Sequence, residues 1–280
     1  MITAMHPIGQ GASLMLAVML AGCSAPEDKA AGARTDQAMA PAAPESPAAP
    51  PAPAPGATNF TDNAEEGEAK REFSYSWPAK VSAVPVLAKR LTAERDKLLA
   101  EQKAEWQESL REFGDSDCIA CVNRDLQKSW DVVADLPRFL SLSWNLYAYT
   151  GGAHGNSGSG GLVWDRETNA ALAPKDLFVS EAALQDALYT RWCKALQRDR
   201  VTRLGMEPAD GTTFPCPKIA ELTVLLGSSS KTHFDRVGLI ADPYVAGSYA
   251  EGSYELTFPV TAEVLAAVRP EYKAAFALGK

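Results

Sequence analysis

The chain has 280 residues and a formal net charge of −8, with 46% hydrophobic and 22% charged side chains. It is long enough for one domain with a sizeable core plus extensions. The acidic balance argues against nucleic acid or an anionic lipid surface as partner, because both are bound through clustered Lys and Arg. There is no internal repeat, phosphate loop or dinucleotide fingerprint, so no cofactor is expected.

Residues 1–22 hold no charged side chain and include the apolar run Leu14-Met15-Leu16-Ala17-Val18-Met19-Leu20. That run is too short to span a bilayer but suits the apolar region of a secretory signal. It ends in Leu20-Ala21-Gly22-Cys23, which resembles the lipobox of bacterial lipoproteins, although no Lys or Arg precedes the run. The resemblance implies a signal peptide over 1–22 and lipidation of Cys23. Each buried methylene of a lipid chain contributes roughly 0.8 kcal/mol, so several chains make a firm membrane anchor. Ser24 in place of Asp favours the outer membrane by the enteric sorting rule. The expected location is the cell envelope, on the periplasmic face of the outer membrane.

Residues 23–68 read as a lipidated N-terminus and an Ala/Pro-rich disordered linker, with prolines from Pro41 to Pro55. Proline removes backbone donors and fixes φ, so residues 38–57 stay extended and reach about 60 Å as polyproline II. The domain begins at about residue 69. Phe73, Tyr75 and Trp77 alternate with polar residues as a first strand, and Pro78 stops it. Residues 84–113 carry Leu87, Leu91, Leu98, Trp106 and Leu110 at helical spacing, with Pro85 in the first turn and Gly114 at the C-cap. Arg90–Glu94 and Lys97–Glu101 are i,i+4 pairs on the polar face.

A loop then leads through Val132 and Val133 to residues 139–156. Leu140, Leu142, Trp144, Leu146 and Ala148 alternate with Ser141, Ser143, Asn145, Tyr147 and Tyr149, the period of a half-buried strand. Gly151-Gly152-Ala153-His154-Gly155-Asn156 turns the chain, and Gly160 to Trp164 form the returning strand of a hairpin. Ser180 caps a second helix carrying Leu184, Leu188, Trp192 and Leu196. Residues 219–226, 237–240 and 254–260 read as further strands, and Thr261 opens a last short helix. Without a βαβ rhythm, the expected fold is α+β: a single domain over 69–280 whose antiparallel sheet is packed by a long helix and one or two shorter ones.

Four cysteines lie beyond Cys23, an even number in an exported chain, which implies disulfides. Of the three pairings, the favoured one joins Cys193 to Cys216, tying a helix to the loop before a strand, and Cys118 to Cys121. A redox pair at 118–121 is disfavoured by Asp115 and Asp117 just before it. A four-cysteine zinc site is disfavoured because only one half has close ligand spacing.

Three segments in order carry a family resemblance. They are Tyr149-Thr150-Gly151-Gly152-Ala153-His154-Gly155-Asn156, then Leu172 with Asp176-Leu177-Phe178, then Pro243-Tyr244 with Gly247-Ser248-Tyr249-Ala250-Glu251-Gly252-Ser253-Tyr254. The succession, over roughly 70–270, resembles the domain of unknown function shared by the RsiV anti-sigma factor and the peptidoglycan deacetylase PdaC. The RsiV domain binds lysozyme, which implies a sensing or binding role here. The separate metal-dependent deacetylase domain of PdaC and the transmembrane region of RsiV find no counterpart, which implies the binding-type domain alone on a lipid anchor.

The candidate ligand-binding residues are accordingly Tyr149, Gly151, Gly152, His154, Tyr244 and Tyr249, with no catalytic residue and no metal. His154 either contacts a ligand from the hairpin tip or hydrogen-bonds backbone and fixes the turn. Tyr147, Tyr149, Tyr244, Tyr249 and Tyr254 form an exposed platform or pack against the long helix; spacing leaves both open. Ser157 and Ser159 lie near His154 but lack nucleophile-elbow spacing, and two histidines far apart do not make a hydrolytic metal site. The expected partner is a lysozyme-like wall enzyme or peptidoglycan. The alternatives are a wall-glycan hydrolase working through His154 and a purely structural envelope lipoprotein.

Overall fold

The computed structural model describes residues 56–205 and 214–280, and these belong to one compact unit. The signal segment, Cys23 and most of the Ala/Pro-rich stretch lie outside the described residues. The frame is a sheet of seven strands: β1 (Thr58–Thr61), β2 (Ala64–Glu66), β3 (Ala69–Trp77), β4 (Arg124–Asp135), β5 (Phe139–Tyr149), β6 (Asn156–Asp165) and β7 (Ala170–Leu172). Their order is β1-β3-β4-β5-β6-β7, with β2 also pairing on β3.

Folding therefore starts inside the stretch read as linker. The Arg71 guanidinium is buried and reaches back to Asp62, at 2.7 Å from its carbonyl and 2.5 Å from its carboxylate. Lys103 holds the other oxygen of that carboxylate at 2.7 Å. These bonds clip the β1–β2 turn to the long helix. The sheet is also not wholly antiparallel: β3 and β4 run parallel. Parallel neighbours need a crossover, and α1 (Ala79–Ser82) with α2 (Pro85–Phe113) supply it.

Helix α2 covers one face of the sheet. Phe73, Tyr75, Leu87, Leu91, Trp130, Leu140, Leu142 and Trp164 form the core between them. Inside it, Glu94 was expected to pair with Arg90 along the helix. It turns instead into the sheet, where it meets Lys128 and accepts the Tyr75 hydroxyl at 2.9 Å.

The fold is the expected α+β, mostly antiparallel and packed by a long helix and shorter ones, and its strands divide between two sheets. β8 (Thr223–Gly227), β9 (Arg236–Ala241) and β10 (Tyr254–Pro259) form a separate antiparallel sheet ordered β10-β9-β8. Residues 219–221, read as strand, form a 3₁₀ turn that precedes β8. This small sheet and α4 (Glu181–Leu204) build a second core around Trp192, Phe234, Leu239 and Tyr254, joined by Phe139 and Val163 from the large sheet. The approach is close at Gly161, where a Cβ would stand 2.8 Å from the Val224 carbonyl. α3 (Ile119–Val122) and α5 (Ala262–Ala267) are two further short helices. Both disulfides are paired as expected, Cys118–Cys121 and Cys193–Cys216.

Candidate functional site

The β5–β6 hairpin ends in the glycine-rich turn. Gly151 and Gly152 take φ of 104° and 94°, values that side chains rarely adopt. Gly155 is buried, and a Cβ there would lie 2.5 Å from the Tyr147 ring. The Tyr149 hydroxyl sits 2.8 Å from the Gly152 carbonyl and 3.2 Å from that of Ala120 in α3, tying the tip to the Cys118–Cys121 segment.

His154 projects from this tip and is exposed. Its Nδ1 lies 2.8 Å from the Gly155 carbonyl, which can only accept, so Nδ1 carries the proton. Nε2 then accepts the Tyr244 hydroxyl at 3.3 Å. The imidazole stacks on Tyr249 with ring centroids 3.9 Å apart, and Tyr244 lies 5.7 Å from Tyr249. Tyr244 is 53% exposed. Three residues from two distant loops thus form one ring cluster, with His154 and Tyr244 exposed and Tyr249 half-buried between them and the domain.

The loop bringing the two tyrosines, residues 242–253, is held at many points. Tyr244 has φ of 71°, closed by its N–H on the Gly247 carbonyl at 3.1 Å. From α4, Arg200 donates to the Ala246 carbonyl, and Arg203 to the carbonyls of Glu251 and Ser253 at 2.9 and 2.8 Å. Glu251 accepts the Ser248 N–H and hydroxyl and, at 2.5 Å, the Tyr254 hydroxyl. Burial pushes the Glu251 carboxyl up, but those hydrogen bonds win and hold it below its ordinary value. Burial, then the bond to Glu251, pushes the Tyr254 phenol up to about 12. Tyr254 is fully buried, so of the five tyrosines proposed as a platform it belongs to the core.

Beside the ring cluster, the part of the large sheet's other face that the small sheet leaves uncovered is open. Register aligns two polar rows there, Ser76–Ser129–Asn145–Ser159 and Ser74–Gln127–Tyr147–Ser157. They floor a groove of about 330 Å³ walled by Asp242, Ser253 and Glu255 from the small-sheet side. Ser159 joins wall to floor, its N–H and hydroxyl donating to Asp242 at 3.1 and 2.7 Å. Burial, then the Asp125 charge, raises the Tyr147 phenol. Asp125 itself, in a smaller pocket with Tyr147 and Tyr149, has its carboxyl raised by burial, and its Oδ1 is buried without a partner.

Of the sequence candidates, His154, Tyr244 and Tyr249 converge, while Gly151, Gly152 and Tyr149 shape and brace the tip. The groove was not anticipated. Its rows read in sequence as the solvent half of alternating strands, and only register shows that they line up. Both nitrogens of His154 are taken by hydrogen bonds, and among the described residues neither meets a carboxylate or a serine. Among the described residues no group of three or more His, Cys, Asp or Glu can hold a metal ion, and no helix is long and apolar enough to cross a membrane.

Residues 60–157 match the family model described as "Deacetylase PdaC". A DUF3298 family protein from Pseudomonas aeruginosa PAO1 superposes with a TM-score of 0.48 at 15% identity, covering 80% of this chain and 97% of that one. A DUF3298 family member from Bacteroides fragilis NCTC 9343 gives 0.46 at 15% identity, covering 80% and 92%. No curated protein matches the chain in sequence. Over residues 60–157, from β1 through the His154 tip, the chain is thus similar to the PdaC family model.

Proposed function

We propose that this chain is an envelope lipoprotein whose domain binds a partner at the cell wall and catalyses no reaction of its own. Cys23 anchors it to the periplasmic face of the outer membrane, and the Ala/Pro-rich stretch holds the domain away from the lipid. The observation that carries the binding reading is the His154–Tyr249–Tyr244 cluster. Rigid aromatic rings with polar edges, displayed on braced loops, give contact area at little entropic cost. The partner is a lysozyme-like wall enzyme or peptidoglycan. The net charge of −8 suits a basic enzyme, and the groove beside the rings suits glycan.

The test is calorimetric titration of lysozyme, and separately of soluble peptidoglycan fragments, into the unlipidated chain from residue 23 onward. Saturable binding in the micromolar range or tighter is expected with at least one of them. Tyr249→Ala should weaken it about tenfold, ~1.4 kcal/mol, without changing the melting temperature. No heat with either titrant, or undiminished affinity in Tyr249→Ala, removes the reading.

A further inference from the structure

The groove on the sheet has a chemistry of its own. Its floor consists of hydroxyl and amide side chains, groups that both donate and accept hydrogen bonds, set in two parallel rows by strand register. Adjacent strands stand about 4.8 Å apart, so a row crossing four strands extends about 14 Å. That is room for a short chain of sugar rings. A globular partner would instead need a broad patch with an apolar centre, which a slot of about 330 Å³ does not offer.

Charge narrows the ligand further. The groove wall carries two carboxylates, Asp242 and Glu255. Among the described residues that line the groove, Lys128 is the one cationic side chain, and its Nζ is turned through the sheet to Glu94 and over the Trp144 ring at 4.4 Å, on the α2 side. An anionic ligand would meet two like charges here, and the one lining cation is already engaged by Glu94. A neutral or amine-bearing sugar would find acceptors in the carboxylates and mixed partners in Gln127, Ser129 and Asn145. At the hairpin end the Tyr147 ring lies beneath Gly155, and the exposed rings of His154 and Tyr244 and the half-buried ring of Tyr249 follow. Hydrogen-bonding rows that lead to aromatic faces suit the polar edges and apolar faces of pyranose rings.

We propose that this groove binds an oligosaccharide strand free of anionic groups, entering past the His154 rings and lying across β3 to β6. The assignment rests on the reading of the domain as a binding module and names the ligand class of that site.

The experiment titrates three tetramers into the unlipidated chain: N-acetylglucosamine, glucosamine and galacturonate. Lysozyme is titrated in parallel, and Ser129→Leu and Asn145→Ala are carried alongside the parent. Both the neutral and the amine-bearing tetramer are expected to bind, and the galacturonate tetramer at least tenfold more weakly. Ser129→Leu fills the floor and should weaken sugar binding tenfold or more. Asn145→Ala, which only trims a side chain, should weaken it severalfold and covers the case in which the leucine variant fails to fold. Equal binding of the galacturonate tetramer, or sugar affinity unchanged in both variants, overturns the proposal. Lysozyme binding with no response to any tetramer overturns it while leaving the binding module intact. Silence from every titrant removes both.

Discussion

Gly160 and Gly155 are the two hairpin positions where an added methyl group would run into an aromatic ring. A Cβ at Gly160 would stand 2.2 Å from the Trp144 ring, and one at Gly155 would stand 2.5 Å from Tyr147. Both rings lie across a neighbouring strand where only hydrogen leaves room. Trp144 cannot swing away freely, because Lys128 caps its face at 4.4 Å. Gly160→Ala is therefore an overpacking substitution and should destabilise the domain by about 1–3 kcal/mol. Urea unfolding with an unchanged slope and a lowered midpoint would show it; an unchanged midpoint would mean that Trp144 has space the geometry does not reveal. Lys128 also explains why β4 was not legible in the sequence. Leu126, Lys128, Trp130 and Val132 share the face toward α2, and a lysine in that register breaks the apolar alternation. Its charge is tolerated there because Glu94 neutralises it and two indoles flank it.

At the scale of elements, the features written in local pattern were readable. The long helix, the Ser180 cap with its hydroxyl accepting the Ala183 N–H at 3.1 Å, and the β5–β6 hairpin all follow from spacing within a dozen residues. What was not readable depends on distant partners: the parallel pairing of β3 with β4, the separation of β8–β10 into a second sheet, and the short β1, held by Asp62, Arg71 and Lys103. The candidate site divides in the same way. His154 stood out beside its glycines, yet its partner Tyr244 is 90 residues away, and only a resemblance named the two together with Tyr249. The disulfides act at this scale too. Cys193–Cys216 links α4 to the segment before β8 across 23 positions, whereas Cys118–Cys121 spans three. Loop-closure entropy then ranks them: replacing the first pair with serines should cost about 3 kcal/mol and the second about 2. Chemical denaturation of the two double-serine variants checks the order, and a larger loss from the 118–121 pair would contradict this account.

For the molecule as a whole, stability should form a plateau in pH bounded by ionisations that tie separate elements together. The carboxyls of Asp62, Asp135 and Asp165 lie below the ordinary value, chiefly through hydrogen bonds from Lys103, Lys80 and Arg138 respectively. Asp235 and Glu251 are pushed up by burial but brought lower overall by hydrogen bonds, from Ser229 in one case and from Tyr254 and Ser248 in the other. A depressed folded-state pKa gives stability that is complete above the unfolded value, about 4, and lost as pH falls through the folded one. All five groups act in that direction. Asp125, raised by burial, acts in the other. At the alkaline end, burial raises the phenols of Tyr75 and Tyr254 above the ordinary value of about 10. The folded state then holds those protons more tightly than the unfolded chain, so stability is present below about pH 10 and falls beyond it. The expected melting curve is flat from about pH 5 to about pH 9.5 and drops on both sides. Scanning calorimetry across pH 2 to 11 measures it. A melting temperature that holds or rises below pH 4 would show that the clips of Asp62 to α2, of Asp135 to α1 and of Asp165 to the β4–β5 turn contribute little. The expected loss on that limb instead places the ties of β1, α1, α2 and β4 among the contacts that keep the sheet, and the groove it floors, in one piece.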